Sequence, residues 1–166
     1  MRFLVDSNIF IEAKNRYYGF DICPGFWEWM DDVCGADVGS IIDVRDELAD
    51  GRDELAEWIA ARNDADWFLR VDDDQTQSYF ADVANHVATA GYTEPAVQKF
   101  LAKADPWLIA KAMTLGATIV THETVAQPSA RSRVMIPNVC GQFGVPCLNT
   151  FDALRQLSAS FKLHRP

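Results

Sequence analysis

Short apolar runs and helix-spaced apolar positions follow one another along this chain. Phe3-Leu4-Val5 is an apolar run that stops at Asp6, and Asn8 to Lys14 carries helix formers. This predicts a strand, a sharp turn and a helix, with Ser7 or Asn8 as N-cap. After a loop holding Gly19, Pro24 and Gly25, the positions Phe26, Met30, Val33 and Cys34 predict a helix to about Cys34. Val38 to Ile42 predicts a second strand, or one passing straight into a helix. Val44, Leu48, Leu55, Trp58 and Ile59 predict two helical pieces broken near Gly51. Trp67 to Val71 predicts a third strand, ending in Asp72-Asp73-Asp74, which reads as a solvated turn.

The second half continues in the same way. Phe80, Val83, Ala84, Val87 and Ala88 share one face of a helix closed by Gly91, and Val97, Phe100 and Leu101 point inward from a short helix after Glu94-Pro95. Asp105-Pro106 predicts the next helix start, Asp as cap and Pro where its missing N–H costs nothing; Gly116 ends it. Ala117 to Thr121 predicts a buried strand, Thr124 to Arg133 a polar loop, and Val134 to Ile136 and Val145 to Leu148 two short strands. Phe151, Leu154, Leu157 and Phe161 form the inner face of a last helix. Strands alternating with helices predict an α/β domain with a mostly parallel central sheet.

A length of 166 residues fits a single domain, 1–166, and 49% apolar with 23% charged residues is a globular composition. No stretch approaches the roughly 20 apolar residues of a membrane helix, and Met1 to Asn8 lacks the pattern of a signal peptide. The expectation is a cytoplasmic protein without membrane contact. Cys23, Cys34, Cys140 and Cys147 form no CxxC pair and read as buried thiols; a zinc site from Cys140, Cys147 and His122 matches no ligand knuckle. The net charge of -9 counts against a nucleic-acid binder held mainly by phosphate contacts. It does not count against an enzyme whose metal ions neutralise clustered carboxylates, and it also fits a basic partner.

In an open parallel sheet, ligands bind beyond the carboxyl ends of the strands. Asp6 ends the first strand and Glu123 follows Ala117 to Thr121. Asp105 starts the helix feeding that strand, and Glu47 lies in the first turns of the helix after the second strand, where Asp43 and Asp46 are alternatives. Four acids from distant parts of the sequence can thus converge on one rim. Crowded carboxylates repel and take up protons unless a cation joins them. Mg²⁺ or Mn²⁺ suits such oxygen ligands and can activate water for phosphodiester hydrolysis.

The strings Phe3-Leu4-Val5-Asp6-Ser7-Asn8, Val44-Arg45-Asp46-Glu47-Leu48, Ala104-Asp105-Pro106-Trp107-Leu108-Ile109-Ala110 and Ile119-Val120-Thr121-His122-Glu123 resemble, in order and spacing, the PIN-domain ribonucleases, which include many bacterial toxins. Asn8 to Tyr18 looks like a little-characterised PIN-like branch. The resemblance implies a three-layer α/β/α fold, Mg²⁺ or Mn²⁺, and single-stranded RNA as substrate. It places metal-binding, catalytic acids at Asp6, Glu47, Asp105 and Glu123, although the family more often has Asp at the last position. It further implies an endoribonuclease that is the toxin of a type II toxin–antitoxin pair, with an antitoxin as partner and a homodimer left open.

Ser7, Asn8 and Thr121 are placed to orient those carboxylates, and Lys14, Arg16, Arg45, Arg131 and Arg133 are candidate phosphate contacts, each with solvated surface charge as the alternative. His122 is a candidate proton carrier. Tyr17, Tyr18, Phe20, Trp27 and Trp29 read as core or partner-binding residues more readily than as base-stacking ones. The rival functions are a PIN-like nuclease of DNA or structured RNA and a non-catalytic PIN-like binding module. A phosphoacceptor domain lacks an adjacent acid pair beside Asp6.

Overall fold

The computed structural model describes residues 1–127 and 129–162. Strands β1 (Phe3–Val5), β2 (Val38–Ile41), β3 (Phe68–Leu69), β4 (Thr118–Val120) and β5 (Cys147–Leu148) form one sheet, every pairing parallel, in the order β3-β2-β1-β4-β5. The α-helices are α1 (Ser7–Glu12), α2 (Pro24–Val33), α3 (Ile42–Ala49), α4 (Glu54–Ala60), α5 (Asp74–Thr89), α6 (Glu94–Leu101), α7 (Asp105–Leu115), α8 (Ile136–Phe143) and α9 (Thr150–Gln156). Central strands are continuously apolar because helices cover them on both faces: Phe3, Leu4, Val5, Ile119 and Val120 are all buried.

Two backbone details fix the central strands. Ser40, fully buried in β2, donates its hydroxyl to the Val5 carbonyl at 2.6 Å. Gly39 sits in a tight spot: a Cβ there would lie 3.0 Å from the Trp67 carbonyl and would push the Met1 side chain, 2.7 Å away, aside. Helix α7 packs against β2, β4 and α5. Phe80 of α5 stacks on Trp107 at 3.6 Å between ring centres, Thr76 pairs with Thr114 at 2.9 Å, and Lys111 bridges to Asp73 at 2.7 Å. Gly116 ends α7 at φ +62, in the left-handed region that glycine enters without strain.

Several elements differ from the sequence expectation. Asp6, rather than Ser7 or Asn8, holds the N-cap position of α1, and a π-helical segment, Ala13–Tyr17, extends that helix. Asp105 does not cap α7: Ala104 takes the cap position and Asp105 is already helical. Val134 to Ile136 is not a strand; Ile136 opens α8, with Pro137 in its first turn and Gly144 just past its end. Strand β3 is only two residues long. Asp73, partly solvent-exposed, is also the cap of α5, accepting from the Thr76 amide at 2.9 Å and hydroxyl at 2.8 Å. Helix α9 stops at Gln156, so Phe161 lies beyond it, and Phe151 is 41% exposed.

Candidate active site

The sheet order turns about β1: β2 and β3 lie on one side, β4 and β5 on the other. The chains leaving the carboxyl ends of β1 and β4 therefore diverge, opening the crevice where parallel sheets bind ligands. Asp6 lies there, its amide pinned to the Val120 carbonyl at 3.1 Å. Its carboxylate is 1% exposed and accepts from Thr121 Oγ1 at 2.9 Å, Asn8 Nδ2 at 3.0 Å and Ser7 Oγ at 3.3 Å. Burial raises its pKa, the Thr121 and Asn8 hydrogen bonds pull against that rise, and the charge of Glu123 adds to it.

Asp105 faces the same rim from the first turn of α7. Its pKa is raised to about 7, chiefly by burial and then by the negative charges of Asp6, Glu123 and Glu47, with Lys103 opposing. The four acids thus act on one point electrostatically, though their oxygens are differently engaged. Glu47 Oε1 accepts from the Ala104 amide at 3.0 Å and so holds the start of α7. Glu123 has both oxygens bound: Oε1 to Arg133 Nη2 at 2.8 Å, Oε2 to the Ile136 amide at 2.7 Å. Its side chain is only 8% exposed. Asp43 is half-buried with a raised pKa, from burial and the neighbouring Asp46 and Glu47 charges; Asp46 pairs with Arg45.

Among the described residues, no group of three or more His, Cys, Asp or Glu side chains is arranged to hold a metal ion. The donor chemistry nevertheless suits a hard divalent cation: Asp6 and Asp105 are both strained toward protonation by burial and like charge. Mg²⁺ is commonly held by one or two carboxylates, completing its shell with water and phosphate. A two-carboxylate seat fits that habit; a closed four-acid cage is not formed.

The basic residues singled out in the sequence are mostly spoken for. Lys14 pairs with Asp53 at 2.8 Å, Arg16 with Glu12 at 2.7 Å, and Arg45 with Asp46 and the Asn63 carbonyl. Arg131 donates to the Ala90 carbonyl at 2.7 Å. Only Arg133 of the five lines the rim. It borders a cleft of about 250 Å³ together with Lys99, Lys103, Asp105, Glu123 and Ser132. Lys99 and Lys103 escape a reading of α6 that follows only its apolar face, although their four-residue spacing just ahead of Asp105-Pro106 is visible in the sequence. Across the Glu123–Arg133 pair lies a second cleft of about 240 Å³, with Asn8, Glu12, His122 and Met135. His122 Nε2 lies 2.9 Å from Thr150 Oγ1. Trp27 is buried, stacks on Phe20 at 4.0 Å and donates to the Tyr18 carbonyl, whereas Tyr17 is 52% exposed against Phe151.

Three solved structures share this arrangement of elements. A chain of VapBC2 from Rickettsia felis, crystallised bound to a DNA fragment from its promoter, superposes with a TM-score of 0.54 at 14% identity, over 90% of this chain and 98% of that one. A chain of FitAB bound to an IR36 DNA fragment gives 0.52 at 16% identity, over 98% and 99%. A chain of FitAcB from Neisseria gonorrhoeae gives 0.52 at 17% identity, over 90% and 98%. The shared fold is the PIN-like α/β/α fold. No curated protein matches the sequence. A family model described as a domain of unknown function (DUF4411) matches residues 3–161.

Proposed function

The chain belongs to the DUF4411 family, and from its own rim we propose that it is a metal-dependent endoribonuclease that hydrolyses phosphodiester bonds of single-stranded RNA. The observation that carries this reading is the pair Asp6 and Asp105 at the crevice beside β1, one buried on three hydrogen-bond donors, the other pushed up to about 7. A cation at this pair would relieve the burial and like-charge cost that otherwise keeps Asp105 protonated.

Asp6 and Asp105 would hold Mg²⁺ or Mn²⁺, with Glu47 and Glu123 completing the negative rim. When bound, the ion supplies charge neutralisation, an activated water and stabilisation of the leaving oxygen. The chain's own residues set the geometry. Thr121, Asn8 and Ser7 fix the Asp6 carboxylate. Glu47 holds the Ala104 amide and so positions Asp105. Glu123 anchors α8 through the Ile136 amide.

The likeness to chains of VapBC2 and FitAB supports a further part of the reading: this chain is the toxin of a type II pair and has an antitoxin partner. The test is a cleavage time course on single-stranded RNA with Mn²⁺ or EDTA, for wild type and Asp6→Asn. Cleavage requiring both metal and Asp6 is expected. Wild type that leaves mixed-sequence RNA intact at millimolar Mn²⁺ overturns the proposal.

A further inference from the structure

Most cations of this acidic chain are already balanced. Among the described residues, nine of the chain's 15 Lys and Arg residues stand in ion pairs. Lys99 and Lys103 form none among the described residues, and both are exposed. Lys99 lies in the last turn of α6 and Lys103 in the bend that follows it, and both line the cleft that Asp105 also lines. Ser132, Arg133 and Val134 line the same cleft. Both segments are held in place. Ala96, Phe100 and Ala104 are buried beneath the lysines. The loop with Arg133 is tied by the Thr93 amide to the Arg131 carbonyl at 2.9 Å, by Arg131 to the Ala90 carbonyl, and by Glu123 to Arg133 and the Ile136 amide. The second cleft, beyond the Glu123–Arg133 pair, carries Glu12 and no lysine.

We propose that Lys99 and Lys103, with Arg133 lining the same cleft, grip the phosphate backbone of a single-stranded nucleic acid beside Asp105, without needing a metal ion. This assignment rests on the nuclease reading and gives it a substrate path. A net charge of -9 repels a polyanion at long range; a strand docks where cations are locally unbalanced, as Lys99 and Lys103 are, while Arg133, paired with Glu123 at 2.8 Å, adds an exposed guanidinium beside them. The carboxylates of the cleft repel a phosphate directly, so these cations have to carry the attraction. Because both lysines line the cleft on one side of the Glu123–Arg133 pair and the other cleft has none, the strand is held asymmetrically about the acids.

The test measures anisotropy of a labelled mixed-sequence single-stranded DNA, which serves as a probe of the backbone, in EDTA at several salt concentrations. Lys99→Ala/Lys103→Ala should reduce the slope of log affinity against log salt by about 0.7 for each lost contact, and weaken binding roughly 20-fold at 0.1 M salt. Lys99→Arg/Lys103→Arg should keep the slope, since a guanidinium also meets phosphate. Arg52→Ala, at an exposed position outside both clefts, should change neither quantity. An unchanged slope in the double alanine variant, or an equal loss in Arg52→Ala, overturns the proposal. So does wild type that ignores the DNA and binds polyglutamate through these lysines, an outcome that would make the cleft a seat for an acidic peptide. A wild type that shows the lysine-dependent slope yet never cleaves RNA with Mn²⁺ would leave the phosphate grip standing and sink the nuclease reading alone.

Discussion

The Thr121 hydroxyl donates to Asp6 Oδ2 at 2.9 Å, joining the ends of two adjacent strands across 115 positions of sequence. Thr121 Oγ1 also accepts the Glu123 amide at 3.1 Å, so one hydroxyl orders both acids. Thr121→Val removes a donor from a buried carboxylate. The Asp6 pKa should rise further, stability should fall by about 1–3 kcal/mol, and cleavage by about 10- to 100-fold. Thr121→Ser should retain most of both. Urea melts beside cleavage rates check this; a valine variant as active as wild type would show that the hydroxyl orders nothing that matters.

Asp105 governs the pH dependence. In the folded chain it keeps its proton to about pH 7, against an ordinary value of 3.8. Between those values the folded state holds the extra proton, so the contribution is fully present at low pH and is lost as pH rises toward 7. In EDTA, stability should therefore fall with a slope of up to about 1.4 kcal/mol per pH unit from this group, flattening above 7. Asp105→Asn should abolish that slope and melt higher than wild type at pH 8, while losing cleavage. Because Asp105 does not cap α7, Asp105→Ala should melt like Asp105→Asn in EDTA. A clear gap between these two variants would restore a capping role.

Glu47 separates anchoring from charge. Glu47→Gln keeps an oxygen for the Ala104 amide and should melt within about 0.5 kcal/mol of wild type, whereas Glu47→Ala should lose about 1 kcal/mol. If the negative charge is needed at the rim, Glu47→Gln should still cleave at least tenfold more slowly. Equal cleavage would reduce Glu47 to an anchor of α7.

Expression without a partner should slow growth, and Asp6→Asn should relieve it at equal soluble protein. Matching growth curves for the two versions would count against the toxin role and leave the nuclease chemistry untouched.

Asp6 is legible in the sequence because a three-residue apolar run ending in an acid has little else to be. The start of α8 is not: Val134, Met135 and Ile136 have strand-like character, and only Pro137 and Gly144, seven residues apart, mark a helix between them. The π segment at Ala13–Tyr17 has no local signature in the sequence; it ends at Tyr18, whose carbonyl accepts the Trp27 indole N–H. Asp105-Pro106 marks a helix start correctly, but a one-residue shift turns a cap into a free first-turn carboxylate. Lys99 and Lys103 gain meaning only once the 129–134 loop is laid across from α6, a contact between segments some thirty residues apart.

Trp107 sits two residues after Asp105, face to face with Phe80 at an angle of 13°. Three of the other four tryptophans, Trp27, Trp58 and Trp67, contact one another on a different part of the core. The rim thus has its own optical reporter. With the remaining indoles replaced by phenylalanine, the emission of Trp107 would follow cation or strand binding at the start of α7 in real time, separately from global unfolding.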